Sequence, residues 1–252
     1  MIEEARSTVY GRNPVLELLR SRGRRVEELS VLGNAGGPRL QELLALARAQ
    51  GVRVSFRTRG QLTALAGTEH HQGVVCRVAE KAYVMLEDLF PLPAERGEPA
   101  FFLALDQVQD PRNLGGLLRT AVAMGAHGVI LPGRHAAGLT GAAAKAATGA
   151  LELVSVARVT NLVAALELLK KEGIWICGAV PEGGVPAWEA DFSRPLCLVL
   201  GGEGGGVRPL VVRSCDFLVT LPMAGRVGSL NVGAAGAALC YEVLRQRSRK
   251  KT

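Results

Sequence analysis

Over residues 13–79, segments with helical and strand spacing alternate. Residues 14–20 have the three-to-four spacing of a helix, 28–32 read as a short strand, and 38–50 place Leu40, Leu43, Leu44 and Ala47 on one helix face. Residues 52–56 then alternate as a strand, 61–66 make a short helix, and 74–78 close with another strand. This rhythm predicts a small α/β unit with a mainly parallel sheet. It breaks at residues 80–98, where charges mix with Pro91 and Pro93 and Gly97 precedes Pro99. That stretch is the expected linker between a domain at 1–79 and a larger one at 99–252.

The second series is longer. Strands are predicted at 101–105, 128–131, 153–156, 174–179, 197–200 and 217–220, with helices between most of them, which is the pattern of a six-stranded open α/β sheet. A last helix is predicted from Leu230 to about Gln246, with Leu230, Ala234, Ala237, Tyr241 and Leu244 on one stripe. Its first half, Gly233 to Ala238, holds only glycine and alanine. Two readings stay open: tight packing of this helix on the sheet, and close approach of a cofactor loop or a second subunit.

Composition narrows the function classes. The chain has 252 residues, 48% of them hydrophobic and 21% charged, which excludes a disordered or fibrous protein. Thirty Lys and Arg against 23 Asp and Glu give a net charge of +7, so a polyanionic partner enters the picture. No apolar run approaches the roughly 18–20 residues that span a bilayer, and the first residues carry acids where a secretory signal carries bases. A cytosolic protein without membrane attachment is expected. The five cysteines are widely spaced with no C-x-x-C pair, and the four histidines have no metal spacing, so packed thiols and no metal site are expected.

Three segments could carry chemistry. In the first, a strand ends at Leu105, Asp110 can cap a helix with Pro111 at its first position, and Asn113 and Arg119 follow six residues apart, about 9 Å along a helix. That reach suits two groups gripping one nucleotide; the plainer reading makes Asn113 a cap and Arg119 a surface charge. In the second, Leu198-Val199-Leu200 runs into Gly201-Gly202-Glu203-Gly204-Gly205-Gly206, a loop whose backbone can approach a flat ligand. A dinucleotide fingerprint belongs on the first strand of such a sheet, and here the glycines come on the fifth. In the third, Leu221-Pro222-Met223 leads through a glycine-containing loop to Ser229-Leu230-Asn231-Val232, at the start of the final helix, where polar ligands bind and where Ser229 could also be a plain cap.

Together these segments resemble the SpoU (TrmH-type) RNA 2′-O-ribose methyltransferases of the SPOUT superfamily, in the family's order and spacing over residues 101–244. Tyr10-Gly11-Arg12-Asn13-Pro14-Val15 and His71-Gln72-Gly73-Val74-Val75 are similar to the ribosomal-RNA branch, whose members carry an N-terminal domain like ribosomal protein L30e. The resemblance implies a C-terminal SPOUT domain whose chain threads a deep trefoil knot and pairs as a homodimer. It also implies S-adenosylmethionine (SAM) held by the backbone around Leu200, Gly201, Leu221, Met223 and Leu230. Asn113, Arg119, Glu203, Ser229 and Asn231 would form the catalytic set, Arg119 on the target nucleotide's phosphate or 2′-hydroxyl, Asn113 orienting it, and Glu203, Ser229 and Asn231 in the surrounding hydrogen-bond network. A guanidinium, with a pKa above about 12, stays charged, so positioning suits Arg119 better than proton abstraction.

The chain departs from the family's commonest pattern at Gly202, Gly205 and Gly233-Ala234, which puts the rigidity of the loops in question. The implied reaction is methylation of 23S ribosomal RNA at a guanosine in the P-loop of the peptidyl-transferase centre. The alternatives are a tRNA substrate, an antibiotic-resistance methylase with another target nucleotide, and a non-catalytic RNA-binding protein on the same scaffold. Five excess positive charges sit at Arg245, Arg247, Arg249, Lys250 and Lys251, and residues 1–75 carry eleven Arg against seven Glu, with a cluster at Arg20, Arg22, Arg24 and Arg25. Phosphate contact is expected from these two regions.

Overall fold

The structure, a computed structural model, describes residues 6–21, 24–79, 81–225 and 228–249. It divides into two compact units: Met1–Ala82 with Gly138–Leu153, and Tyr83–Ala137 with Val154–Thr252.

In the first unit the chain runs β1 (Arg6–Tyr10), α1 (Arg12–Ser21), β2 (Val26–Leu32), α2 (Pro38–Ala49), β3 (Arg53–Arg57), α3 (Arg59–Ala66) and β4 (Val74–Ala79). The sheet order is β1-β4-β2-β3. The expectation of a mainly parallel sheet here is corrected: only β2 and β3 are parallel, while β4 runs antiparallel to both β1 and β2. Helix α2 supplies the crossover a parallel pair needs. After α3 the chain turns through Gly67 and Gly73, both left-handed, and β4 re-enters mid-sheet in the opposite direction. Strand β1 has no predicted counterpart, because Arg-Ser-Thr-Val-Tyr buries one apolar side chain, Val9. Val15, Leu18, Leu19, Leu29, Val31 and Leu43 fill the core.

Two basic features look different in space. Arg24, of the expected phosphate-binding cluster, is buried: its Nε and Nη2 grip both Glu152 carboxylate oxygens at 3.0 and 2.5 Å, and its Nη1 donates to Ser7 Oγ and the Ala79 carbonyl. Arg20 pairs with Glu17 and Glu42, Arg25 is exposed, and Arg22 lies outside the described residues. Glu152 comes from the later segment Gly138–Leu153, so sequence proximity concealed its partner.

The second unit begins at Tyr83, within the stretch 80–98 expected as linker, and continues into residues 84–96. They hold a 3-10 turn at Glu87–Leu89 and the short α4 (Leu92–Arg96), with Leu86 and Leu89 in that unit's core. There follow β5 (Phe101–Asp106), α5 (Pro111–Ala123) and β6 (Gly128–Pro132); α6 (Gly141–Ala147) belongs to the first unit. Then come β7 (Ser155–Val159), α7 (Leu162–Lys171), β8 (Trp175–Ala179), β9 (Val185–Pro186), β10 (Leu196–Gly201), α8 (Pro209–Arg213), β11 (Phe217–Thr220) and α9 (Val232–Arg249). The strands form one parallel sheet ordered β7-β6-β5-β10-β8-β11-β9. It has seven strands rather than the six expected, the addition being β9, two residues long and below any periodicity signal. Strands β5, β6 and β10 are buried on both faces, as continuous apolar runs in a parallel sheet should be.

Helix α9 starts at Val232, two residues later than predicted. Its small residues are used within the unit: a Cβ on Gly236 would come within 2.5 Å of Leu117 Cδ2 and 2.9 Å of Leu200 Cδ1, so α9 lies directly on α5 and β10. At its far end Arg247, one of the charges expected to contact phosphate, instead donates to the carbonyls of Pro99, Ala100, Phe192 and Arg194 at 2.8–3.1 Å. Burial pushes its guanidinium down to about 10. Arg245 pairs with Glu242; Lys250 and Lys251 lie outside the described residues.

Candidate active site

The site lies at the carboxyl ends of β5, β10 and β11, where parallel α/β sheets offer their loops to ligands. Its most constrained part is the loop after β10. Gly202 N–H donates to the Asp106 carbonyl at 2.7 Å, and Gly206 N–H returns to the Gly202 carbonyl at 3.1 Å. A Cβ at Gly201 would sit 2.0 Å from the Gly206 carbonyl carbon, and one at Gly202 would sit 2.0 Å from the Gln107 carbonyl oxygen. Only glycine permits backbone to lie on backbone this closely. The residue at 202, a departure from the family's commonest pattern, is therefore matched by the close path of Gln107.

Asp106 and Arg208 close the base of that loop. Asp106 is fully buried and takes the Arg208 guanidinium at 2.8–2.9 Å on Oδ1 and the Arg208 backbone N–H at 2.9 Å on Oδ2. Neither residue stood out in the sequence, since they are 102 positions apart; an acid ending a buried strand was the one available signal.

At the mouth, three side chains expected in the catalytic set meet. Asn113 Nδ2 and Asn231 Nδ2 both donate to Glu203 Oε1, at 2.5 and 2.7 Å, and Asn231 Nδ2 also reaches Asn113 Oδ1 at 3.2 Å. The capping reading of Asn113 is corrected: Asp110 caps α5 by accepting from Arg112 N–H, which frees Asn113 for Glu203. Hydrogen bonds from Arg112 hold the Asp110 carboxyl below its ordinary pKa. Likewise Asn231, rather than Ser229, serves the start of α9, its Oδ1 accepting from Gly233 N–H at 2.9 Å. Both Glu203 contacts use Oε1, so Oε2 accepts from no described residue.

Behind this cluster opens a cleft of about 550 Å³, within the usual range for small-molecule and cofactor sites. Leu200, Gly201, Leu221, Met223 and Leu230, the expected cofactor residues, all line it. So do Glu203, Ser229 and Asn231, while Asn113 joins through its hydrogen bonds. Apolar walls with exposed loop backbone fit a flat adenosyl group with few side-chain contacts. Arg119 does not line the cleft. It is exposed on α5 beyond Asn113 and bonds to no described residue. Arg226, in the loop of the third segment, lies outside the described residues.

Residues 100–241 match the family model described as SpoU rRNA methylase. The chain belongs to the SpoU rRNA methylase family. Residues 8–84 match a second model, RNA 2′-O ribose methyltransferase substrate binding. The chain is 45% identical over 240 residues to YacO of Bacillus subtilis, described at the level of a TrmH family tRNA/rRNA methyltransferase, with 95% of this chain and 96% of that one covered. It is 41% identical over 241 residues to the 23S rRNA (guanosine-2′-O-)-methyltransferase RlmB of Ralstonia nicotianae, covering 95% and 96%. Among solved structures, the SpoU methyltransferase AviRb of Streptomyces viridochromogenes in complex with AdoMet superposes with a TM-score of 0.81 at 27% identity, covering 96% of this chain and 90% of that one. An AdoMet-bound rRNA methyltransferase of Sinorhizobium meliloti gives 0.80 at 26% identity, covering 95% and 87%.

Other features bear on chemistry. All five cysteines are free and four are buried, and burial raises the Cys76 and Cys240 thiols to about 12, far from a reactive thiolate. Among the described residues no group of His, Cys, Asp and Glu is arranged to hold a metal, and no helix is long and apolar enough to cross a membrane.

Proposed function

We propose that this family member transfers a methyl group from SAM to the ribose 2′-oxygen of a guanosine in 23S ribosomal RNA, specifically in the P-loop of the peptidyl-transferase centre. The observation that carries the reading is the Asn113–Glu203–Asn231 cluster, which joins the first turn of α5, the loop after β10 and the start of α9 at the mouth of the cleft. RlmB relatives aligned over nearly the full chain support the RNA class.

When bound, SAM supplies a sulfonium-activated methyl group. The chain's residues do the rest. Leu200, Leu221, Met223 and Leu230 exclude water around the cleft, and the glycine loop presents backbone groups without side chains in the way. Asn113 and Asn231 hold the Glu203 carboxylate in one orientation, leaving Oε2 to receive a hydrogen bond from the incoming nucleotide. Arg119 brings a permanent positive charge to the phosphate or to the 2′-hydroxyl, whose proton passes to water, and so stabilises the negative charge that develops on the oxygen. Ser229 adds a hydroxyl at the cleft rim. The knotted passage of the C-terminal segment and a homodimer belong to the same proposal.

The test incubates labelled SAM with 23S ribosomal RNA and with tRNA separately. Label should enter ribosomal RNA, and mapping should find it on a P-loop guanosine. Arg119→Ala should bind SAM normally yet lose at least about 100-fold in transfer. Undiminished turnover in that variant overturns the role of Arg119. The relative YacO, whose description spans tRNA and rRNA, keeps a second reading in view, and label in tRNA with inert ribosomal RNA would establish it. No SAM binding by calorimetry at millimolar ligand would favour the non-catalytic reading.

A further inference from the structure

Two segments picked out in the sequence, Tyr10-Gly11-Arg12 and His71-Gln72-Gly73, play no part in the methyl-transfer cleft. The fold of the first unit brings them together. Arg12 N–H donates to Gln72 Oε1 at 3.1 Å, and Arg12 Nε reaches the Gln72 carbonyl at 3.4 Å. Gln72 is held at φ 54°, a left-handed conformation that a non-glycine residue keeps only when its surroundings enforce it. The enforcement is visible. His71, buried, accepts from Gly73 N–H on Nδ1 at 3.0 Å and meets Thr63 Oγ1 through Nε2 at 3.3 Å, while Gly73 packs on Leu32, whose N–H bonds its carbonyl at 2.9 Å.

This rigid turn forms one wall of a second cavity, about 230 Å³, lined by Arg12, Leu32, Ala35, Arg59, Glu69 and Gln72 among others. Its chemistry is mixed in a particular way. Leu32 and Ala35 offer an apolar surface, two guanidiniums offer planar positive groups, Glu69 an acceptor and Gln72 a donor. The Gln72 Oε1 is already engaged by Arg12, so its Nε2 is the group left to face a ligand. An apolar surface beside arginine planes with a donor and an acceptor at its edge matches an unstacked nucleotide of single-stranded RNA, base inside and phosphate on the arginines. A free phosphate would have no use for Leu32 and Ala35.

We propose that this pocket takes one flipped-out nucleotide of the RNA substrate, read at its base edge by Gln72 and Glu69 and held at its phosphate by Arg12 and Arg59. The proposal rests on the reading of the chain as an RNA methyltransferase and adds a docking point separate from the reacting ribose.

Filter binding of the full chain to transcribed 23S ribosomal RNA, without SAM, tests it. Ala35→Trp fills the pocket without changing charge and should weaken binding at least tenfold. Gln72→Glu keeps the acceptor for Arg12 N–H, removes the donor, and should weaken binding comparably. Arg59→Ala should cost about five- to tenfold and reduce the salt slope by about one. Arg39→Ala, an exposed arginine on α2 outside the pocket, should stay within twofold. Thermal melts and SAM affinity check that each variant is folded; if Ala35→Trp fails, Gln72→Glu decides. Binding within twofold for Gln72→Glu, or equal losses for Arg39→Ala and Arg59→Ala, overturns the pocket. If the wild type methylates tRNA and leaves ribosomal RNA inert, the substrate assignment falls, and the pocket is judged by the same ratios on tRNA.

Discussion

The two units solve the burial of polar groups differently. In the first, an entire ion pair is taken inside: the Arg24 and Glu152 side chains are 3% and 2% exposed, and the guanidinium's Nη1 donors are spent on Ser7 and the Ala79 carbonyl. In the second, charge is kept at the ends of strands, Asp106 buried but its partner Arg208 reaching solvent, and the tightest approaches are made by backbone at Gly201 and Gly202. The difference teaches where each unit is vulnerable. A buried pair is sensitive to losing one partner, because the survivor is left charged without water. A backbone contact is sensitive to a single added methyl group.

The largest effect should come from halving the buried pair. Glu152→Ala leaves Arg24 unpaired and should cost about 3–5 kcal/mol. Hydrogen exchange in β1–β4 should register it, and the double variant Arg24→Met with Glu152→Leu should recover most of the loss. If Glu152→Ala protects as well as wild type, the pair is not holding the first unit. Gly201→Ala should cost about 3 kcal/mol or more, read by denaturant unfolding, since two backbone segments must part. Gly116→Ala, where a Cβ meets nothing on α5, should instead gain about 0.5–1 kcal/mol. A gain at both positions would show that the loop after β10 is not close-packed.

Arg247→Met should cost about 2 kcal/mol by removing one donor from each of four carbonyls, with exchange rising at the Pro99–Phe101 end of β5. The smallest effect is a pH dependence shared by both units. Burial holds His71 and His127 below the ordinary histidine pKa, with the charge of Arg59 and of Arg96 respectively adding to it. His127 accepts from Phe101 N–H on Nδ1, and its Nε2 faces Glu98 at 3.7 Å. The unfolded chain takes up these protons near pH 6.5 and the folded one does so only at lower pH, so stability present above about 6.5 is lost as pH falls, by at most about 1.4 kcal/mol per unit for each histidine. His127→Gln should flatten that slope for β5 and β6 while the first unit keeps its own.

The periodicity of the chain located most elements within two residues, because long apolar segments such as 101–106 and 162–171 leave little choice of partner face. It missed β1 and β9, one too polar and one too short to carry a period. It also misjudged strand direction in the first unit. Direction there depends on where β4 re-enters, which the turn at Gly67–Gly73 decides and no hydrophobic pattern records.

What the sequence by itself determined was the chemistry on offer: the three loops, their glycines, and Asn113, Glu203 and Asn231 in their order. Motif spacing carries such information because each loop is a local continuation of one strand. Only the tertiary structure decided which groups meet. It turned Asn113 from a cap into a ligand of Glu203, joined Arg208 to Asp106 and Arg24 to Glu152 across more than a hundred residues, and enlisted Arg247 to bind carbonyls. These pairings arise because buried polar groups must find partners wherever the fold brings them, and distance along the chain does not constrain that search.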